Sequence, residues 1–388
     1  MMQRLSRRDL PAIAAHLGAV AIIFGWLLRH LILLFQGFDY NAHRFYAEAL
    51  AQGTIYYTHI TYQLAVVGLA TAVPTLEIVR SMWIVTIGIY IVTALILYLL
   101  LRGVTTNGWI AAGGALILLI ANPITLLTAP AGNLYYGYIV FNAMHNPTTA
   151  MIRPFALIAV VFALRAFAGY MRFSGRTALM CVLVVGASLF VKPNFALVFI
   201  PALIVVVAYR AAVKQNYIGA RLILLGIVAP TIVLLAVQYL LQFVVLPRPG
   251  GNTGIALMPF VATVMFEPSF WWIAIKLLLS LAFPLTVYLL YRRELKADVG
   301  IGLAWWMVAA GIAQMYLLTE GGLIARDLNF WAGAQIAGFI LFAFTLKSWL
   351  PLIKREPRAW VSVALLALHV ISGVLLYGTI LTGTYAPR

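Results

Sequence analysis

Four short stretches of this sequence concentrate side chains able to bind an anion or move a proton. In Gly37-Phe38-Asp39-Tyr40-Asn41-Ala42-His43, Asp39 and His43 stand four residues apart, so one helix would carry both on the same face. A carboxylate held there can act as general base toward a hydroxyl. An aspartate at that point is also a good helix N-cap, and the two roles are compatible. The second stretch, 142–154, holds His145, Asn146, Thr148, Thr149 and Arg153. A helix opening after Pro147 offers free N–H groups to an anion, with Arg153 just beyond; the alternative is an ordinary cap and a snorkelling arginine. The third is Lys192-Pro193-Asn194, where a cation interrupts an apolar run at a cost unless it reaches a polar cavity or the interface, there to meet a lipid phosphate or only to end a helix. The fourth, 320–331, contains Glu320, Arg326, Asp327, Asn329 and Trp331. An exposed Arg326–Asp327 pair would contribute little, and Trp331 suits an interfacial aromatic belt.

What must position these residues is a membrane bundle. Of 388 residues, 64% are apolar and only 9% charged, with a mean hydropathy of +1.00; soluble domains carry about 25% charged residues. Apolar runs of about 20 residues, enough to cross a bilayer, lie at 11–35, 79–101, 108–128, 148–168, 220–245, 271–291, 300–319, 331–349 and 359–381. The stretch 178–209 is broken at Pro193, which disfavours helix at the preceding residue. It reads as a hairpin of helices 178–191 and 194–209, giving about 11 spans. The fold class expected is therefore all-α, a polytopic transmembrane bundle forming a single domain over 1–388.

The net charge of +16 comes from basic residues in short loops, which implies a cytoplasmic N-terminus and contact with anionic lipids, and not nucleic acid as partner. Segment 36–78 then faces outward. It is long for a connection, and Ala42, Phe45, Tyr46, Ala49 and Leu50 give it one apolar helical face, followed by a second short apolar stretch, 62–73. Two juxtamembrane amphipathic helices are expected in this first outer loop. The single cysteine, Cys181, permits no internal disulfide. The six histidines show no zinc-site spacing. Phosphate loops and a nucleophile elbow are absent as well.

A first span followed by Gly37-Phe38-Asp39-Tyr40-Asn41-Ala42-His43 and two juxtamembrane helices resembles the start of the GT-C superfamily of polytopic glycosyltransferases. The Glu320 to Asn329-Phe330-Trp331 segment is similar to one found in bacterial polysaccharide glycosyltransferases of this type. The resemblance spans the chain in topology and about 15 residues in motif. It implies a polyprenyl-phosphate-linked sugar donor, a lipid- or glycan-linked acceptor, and Asp39 as the catalytic base. His43, His145, Asn146, Arg153, Lys192, Glu320, Arg326 and Asn329 are the candidate substrate and phosphate ligands. Many members carry two adjacent acids where this chain has Asp39-Tyr40, so no metal ligand set is implied; no cofactor is identified, and nothing in the residues supports a divalent cation.

The function expected is inverting glycosyl transfer at the outer, periplasm-facing side of a bacterial cytoplasmic membrane. A repeat-unit polymerase is one rival, and it would concentrate its polar residues in one much larger late loop. A lipid or sugar transporter is the other, with Lys192 and Arg153 lining a path.

Overall fold

A computed structural model describes residues 7–34, 39–131, 135–213, 219–246, 254–320, 328–353 and 358–383. Fifteen α-helices are present among them: α1 (Leu10–Leu28), α2 (Asp39–Ala51), α3 (Thr61–Ala72), α4 (Ile78–Arg102), α5 (Gly108–Ile120), α6 (Pro147–Phe167), α7 (Gly175–Val191), α8 (Asn194–Ala212), α9 (Ala229–Leu240), α10 (Val261–Val264), α11 (Phe270–Leu290), α12 (Arg292–Leu295), α13 (Val299–Leu317), α14 (Trp331–Trp349) and α15 (Ala359–Leu381). Short 3₁₀ or π turns extend α1 to Arg7–Leu34 and α9 to Leu222–Val245.

Nine of the described helices are long and apolar enough to cross a membrane: α1, α4, α6, α8, α9, α11, α13, α14 and α15 with their extensions. The other two expected spans are present as shorter apolar helices, α5 and α7. Helix α14 lies at the centre, 89% of its apolar window being buried against 33% for α15. It packs on α13, α8, α11 and α6. Small residues set the closeness of that packing: a Cβ on Gly311 of α13 would fall 2.6 Å from the Ala334 Cα of α14.

Helix α5 stops well short of the expected 108–128. Pro123 has no N–H to donate and disfavours helix at Asn122, so residues 121–125 are non-helical. Inside a bundle such backbone persists only when its polar groups find protein partners, and α15 supplies them. The Asn122 N–H donates to the His369 carbonyl at 3.0 Å, the His369 ring meets the Asn122 carbonyl at 2.6 Å, the Thr125 N–H donates to Ser372 Oγ at 3.2 Å, and the Tyr377 hydroxyl donates to the Leu119 carbonyl at 2.7 Å. Gly373 allows this contact, because a Cβ there would enter the Ile120 carbonyl oxygen. Gly373→Val should therefore lower stability in detergent by about 3 kcal/mol, at the upper end of overpacking penalties. Thermal unfolding checks this against Ser372→Ala, which removes one hydrogen bond and should cost about 1 kcal/mol.

The expected all-α class is departed from once. Strands β1 (Ile255–Leu257) and β2 (Leu318–Glu320) form an antiparallel ribbon with Ile255 opposite Glu320. It terminates α13 and fixes the backbone that carries Glu320.

Helices α2 and α3 occupy the expected first outer segment and pack on each other, on α4 and on α6. The inward face of α2 is not the predicted apolar one: Tyr40, His43 and Ala47 are buried, while Ala42 is exposed and Phe45 is 52% exposed. Hydrogen bonding explains the rotation, since the Tyr40 hydroxyl donates to the Met144 carbonyl at 3.0 Å and the Gln63 amide of α3 bonds His43 Nδ1 at 2.8 Å.

Candidate functional site

Asp39 opens α2, and its position is set from outside that helix. The Asn146 side chain donates from Nδ2 to Asp39 Oδ2 at 2.5 Å. Asn146 is also the N-cap of α6, its Oδ1 accepting from the Thr149 N–H at 2.8 Å and from the Thr148 hydroxyl at 2.7 Å. The Thr149 N–H, one of the groups expected to be free for an anion, is thus already satisfied.

Lys192 completes the group. Pro193 ends α7 there, and the side chain, 8% exposed, directs Nζ to Asn146 Oδ1 at 3.3 Å, Thr148 Oγ1 at 3.4 Å and Thr149 Oγ1 at 3.1 Å. All three partners are neutral oxygens, and among the described residues no carboxylate lies within ion-pair distance of Nζ. Burial pushes the ammonium pKa down to about 8, against the opposing pull of Asp39 and Glu320. A buried cation with neutral partners gains strongly from an incoming anion.

A second chain of contacts reaches the same corner. Asn194, the first residue of α8, donates to the Asn329 carbonyl at 2.7 Å, and the Asn329 amide donates to Glu320 Oε2 at 3.2 Å. Glu320 and Asn329 also line a small depression with Thr319, Phe330 and Trp331. Trp331 is 3% exposed and packs against Tyr136, so it is not a belt residue as its position had suggested.

The histidines complete the surroundings. His43 and His145 are both pushed toward the neutral form by burial, with Asp39 opposing and Lys192 reinforcing the shift. His59 is lowered too, by burial and then by Lys192 and His43. His145 Nε2 lies 3.1 Å from the Tyr135 hydroxyl, which accepts from Gln335 Nε2 at 3.0 Å.

The structure thus brings together Asp39, Asn146 and Lys192 by direct bonds, with His43, His145 and Glu320 close enough to act on their charges and Asn329 bonded to Glu320. Arg153 is not part of this group. It is 1% exposed, donates to the Phe141 carbonyl at 3.0 Å and packs its guanidinium over the Phe339 ring at 4.9 Å. Being seven residues into α6 from the Asn146 cap, it faces the core and not the capped end. Arg326, with Asp327, lies outside the described residues.

Some participants escaped sequence reasoning. Gln63 and Gln335 are single amides in apolar helices, a signal that was available. The buried Lys276–Glu267 ion pair, 2.5 Å, also holds the Tyr136 carbonyl at 3.0 Å and so steadies the segment leading to His145. No group of three His, Cys, Asp or Glu among the described residues is arranged to hold a metal ion. Chemically, the arrangement offers a carboxylate able to take a proton beside a buried cation able to receive an anion. No protein-family model and no curated protein matches this chain.

Proposed function

We propose that this chain is a membrane-embedded inverting glycosyltransferase of the GT-C type, using a polyprenyl-phosphate-linked sugar. In this reading α5 and α7 join the nine long helices to give eleven crossings. The Asp39–Lys192 end faces the outside of a bacterial cytoplasmic membrane, and α2 and α3 lie at the bilayer surface.

The observation that carries the reading is the Asp39–Asn146–Lys192 connection, in which one amide links a carboxylate to a buried ammonium whose hydrogen-bond partners are all neutral oxygens. Glycosyl transfer from a lipid phosphate needs those two groups side by side. Asp39 takes the proton of the acceptor hydroxyl as its oxygen bonds to the anomeric carbon. The bond from that carbon to the phosphate oxygen breaks with inversion, and Lys192 receives the charge that develops on the departing polyprenyl phosphate. His43 and His145, held neutral, flank the carboxylate without competing for the phosphate charge. Arg153 has no contact with substrate here; it holds the Phe141 carbonyl and with it the segment before α6.

Purified protein in lipid nanodiscs, given radiolabelled polyprenyl-phosphate sugars and a crude membrane acceptor fraction, should transfer label from at least one donor. Polyprenyl phosphate should be released one for one, and the product should have inverted anomeric configuration. Movement of an intact lipid-linked sugar between leaflets, without transfer from any donor, would establish the transporter instead.

A further inference from the structure

We infer that Asn146 is a positioning residue that holds the Asp39 carboxylate, fixing which of its oxygens is left for a substrate. The catalytic meaning of this rests on the reading of Asp39 as the base; the positioning itself does not.

An asparagine offers one amide oxygen that accepts and one NH₂ that donates. Asn146 uses both ends on the protein. The backbone N–H of Thr149 can only donate, so the atom facing it at 2.8 Å must be the oxygen. The Lys192 ammonium, which also only donates, meets the same atom at 3.3 Å. The NH₂ is thereby turned toward Asp39 Oδ2, at 2.5 Å. The orientation follows from chemistry at three independent neighbours, without any choice about the flip of the amide.

Two consequences follow. The amide oxygen already meets Thr148, Thr149 and Lys192, and the NH₂ is turned to the Asp39 carboxylate, so Asn146 acts through Asp39. It is also the one side chain bonded to α2, to the start of α6 and to the α7–α8 corner among the described residues, so the carboxylate is held relative to Lys192 and not merely to its own helix. With Asp39 Oδ2 accepting from Asn146, Oδ1 is the oxygen left to accept the proton of a substrate hydroxyl.

A bland alternative exists, that Asn146 only caps α6. Serine and aspartate are N-caps about as good as asparagine, so two substitutions separate the roles. Asn146→Ser keeps the cap and loses the donor to Asp39. Asn146→Asp keeps the cap, the shape and an oxygen for Lys192, but replaces the donor with a like charge.

The chain has four aspartates, which makes the Asp39 carboxylate resolvable by infrared spectroscopy of protein carrying ¹³C-labelled aspartate, its band assigned by loss in Asp39→Asn. The band should shift in both Asn146 variants, with thermal stability little changed. In the transfer assay, Asn146→Ser should lower kcat about 10–100-fold, as expected for misplacement of a reacting group, with the donor KM within about twofold of wild type. Asn146→Asp, though nearest in shape, should give no rescue. An unmoved Asp39 band, or full kcat in Asn146→Asp, overturns the inference. The infrared result needs no substrate: a shifted band in a protein that transfers from no donor supports the positioning and removes the transferase reading alone.

Discussion

Asp39→Asn should lose sugar transfer by at least about 10²–10⁴-fold, the usual contribution of a positioned general base, while the protein folds and binds lipid donor as before. The substitution is chosen for what it keeps. Asparagine at position 39 still presents an oxygen to Asn146 Nδ2, so the link from α2 to the α6 cap survives. It also serves the start of α2 as well as aspartate does. Only the capacity to take a proton is removed. One side effect is foreseeable: Asp39 pulls the Lys192 pKa upward, so its neutralisation weakens the hold on the Lys192 proton. Donor binding should therefore be compared near pH 6.5, where Lys192 is charged in both proteins. His43→Ala, one turn along α2, is the neighbour control and should retain measurable turnover. Near-normal turnover in Asp39→Asn would eliminate the general-base mechanism and put the transporter and polymerase readings ahead.

The parts of the fold legible in the sequence were those governed by local rules. Pro193 after Lys192 announced the α7–α8 corner, because proline acts on its own and the preceding residue. Asn146-Pro147-Thr148-Thr149 announced the start of α6, and Asn146 does cap it. Helix α2 followed from its spacing and α3 from a short apolar stretch. Pro123 was the same kind of signal, yet the apolar run around it outweighed it. The break holds because His369, Ser372 and Tyr377 satisfy the backbone there from more than 240 residues away, a compensation that no local window contains.

The same distinction divides the candidate site. Asp39, Asn146 and Lys192 each stood out by residue type, but that one amide joins the other two depends on packing α2 and α3 over the ends of α6 and α7. Arg153 misled for a physical reason: an arginine near a helix start resembles an anion ligand, whereas two aromatic rings and a carbonyl can hold a guanidinium in a core. The inward face of α2 was misread because a count of apolar spacing does not see hydrogen bonds to other elements, and it is through such bonds that Tyr40 and His43 turn inward. Glu320 was picked by residue type, yet the ribbon that orients it pairs strands some sixty residues apart.

Lys192 gives the site a pH dependence with a defined sign. In the proposed mechanism its ammonium form is the one that receives the phosphate, and burial lowers its pKa from 10.5 to about 8. At pH 7 most of the protein is therefore charged at this position, and the charged fraction falls as pH rises through about 8. The alkaline limb of kcat/KM reports groups of the free enzyme, so it should fall about tenfold per pH unit above that point. Tyr135 and Tyr136 are shifted upward by burial and the charge of Asp39, and the neighbouring imidazoles downward, so none of these groups produces a limb near pH 8. Lys192→Arg separates charge from other causes, because guanidinium stays protonated throughout. That variant should move the limb beyond pH 9, at some loss of rate from altered geometry. Lys192→Met keeps a similar length without charge and should weaken donor binding about 10–100-fold at pH 7, the worth of a charged hydrogen bond of about 1.5–3 kcal/mol. Donor affinity and the kcat/KM profile of the three proteins decide the matter: a limb near pH 8 that persists in Lys192→Arg assigns the titration to another group and the phosphate to another ligand.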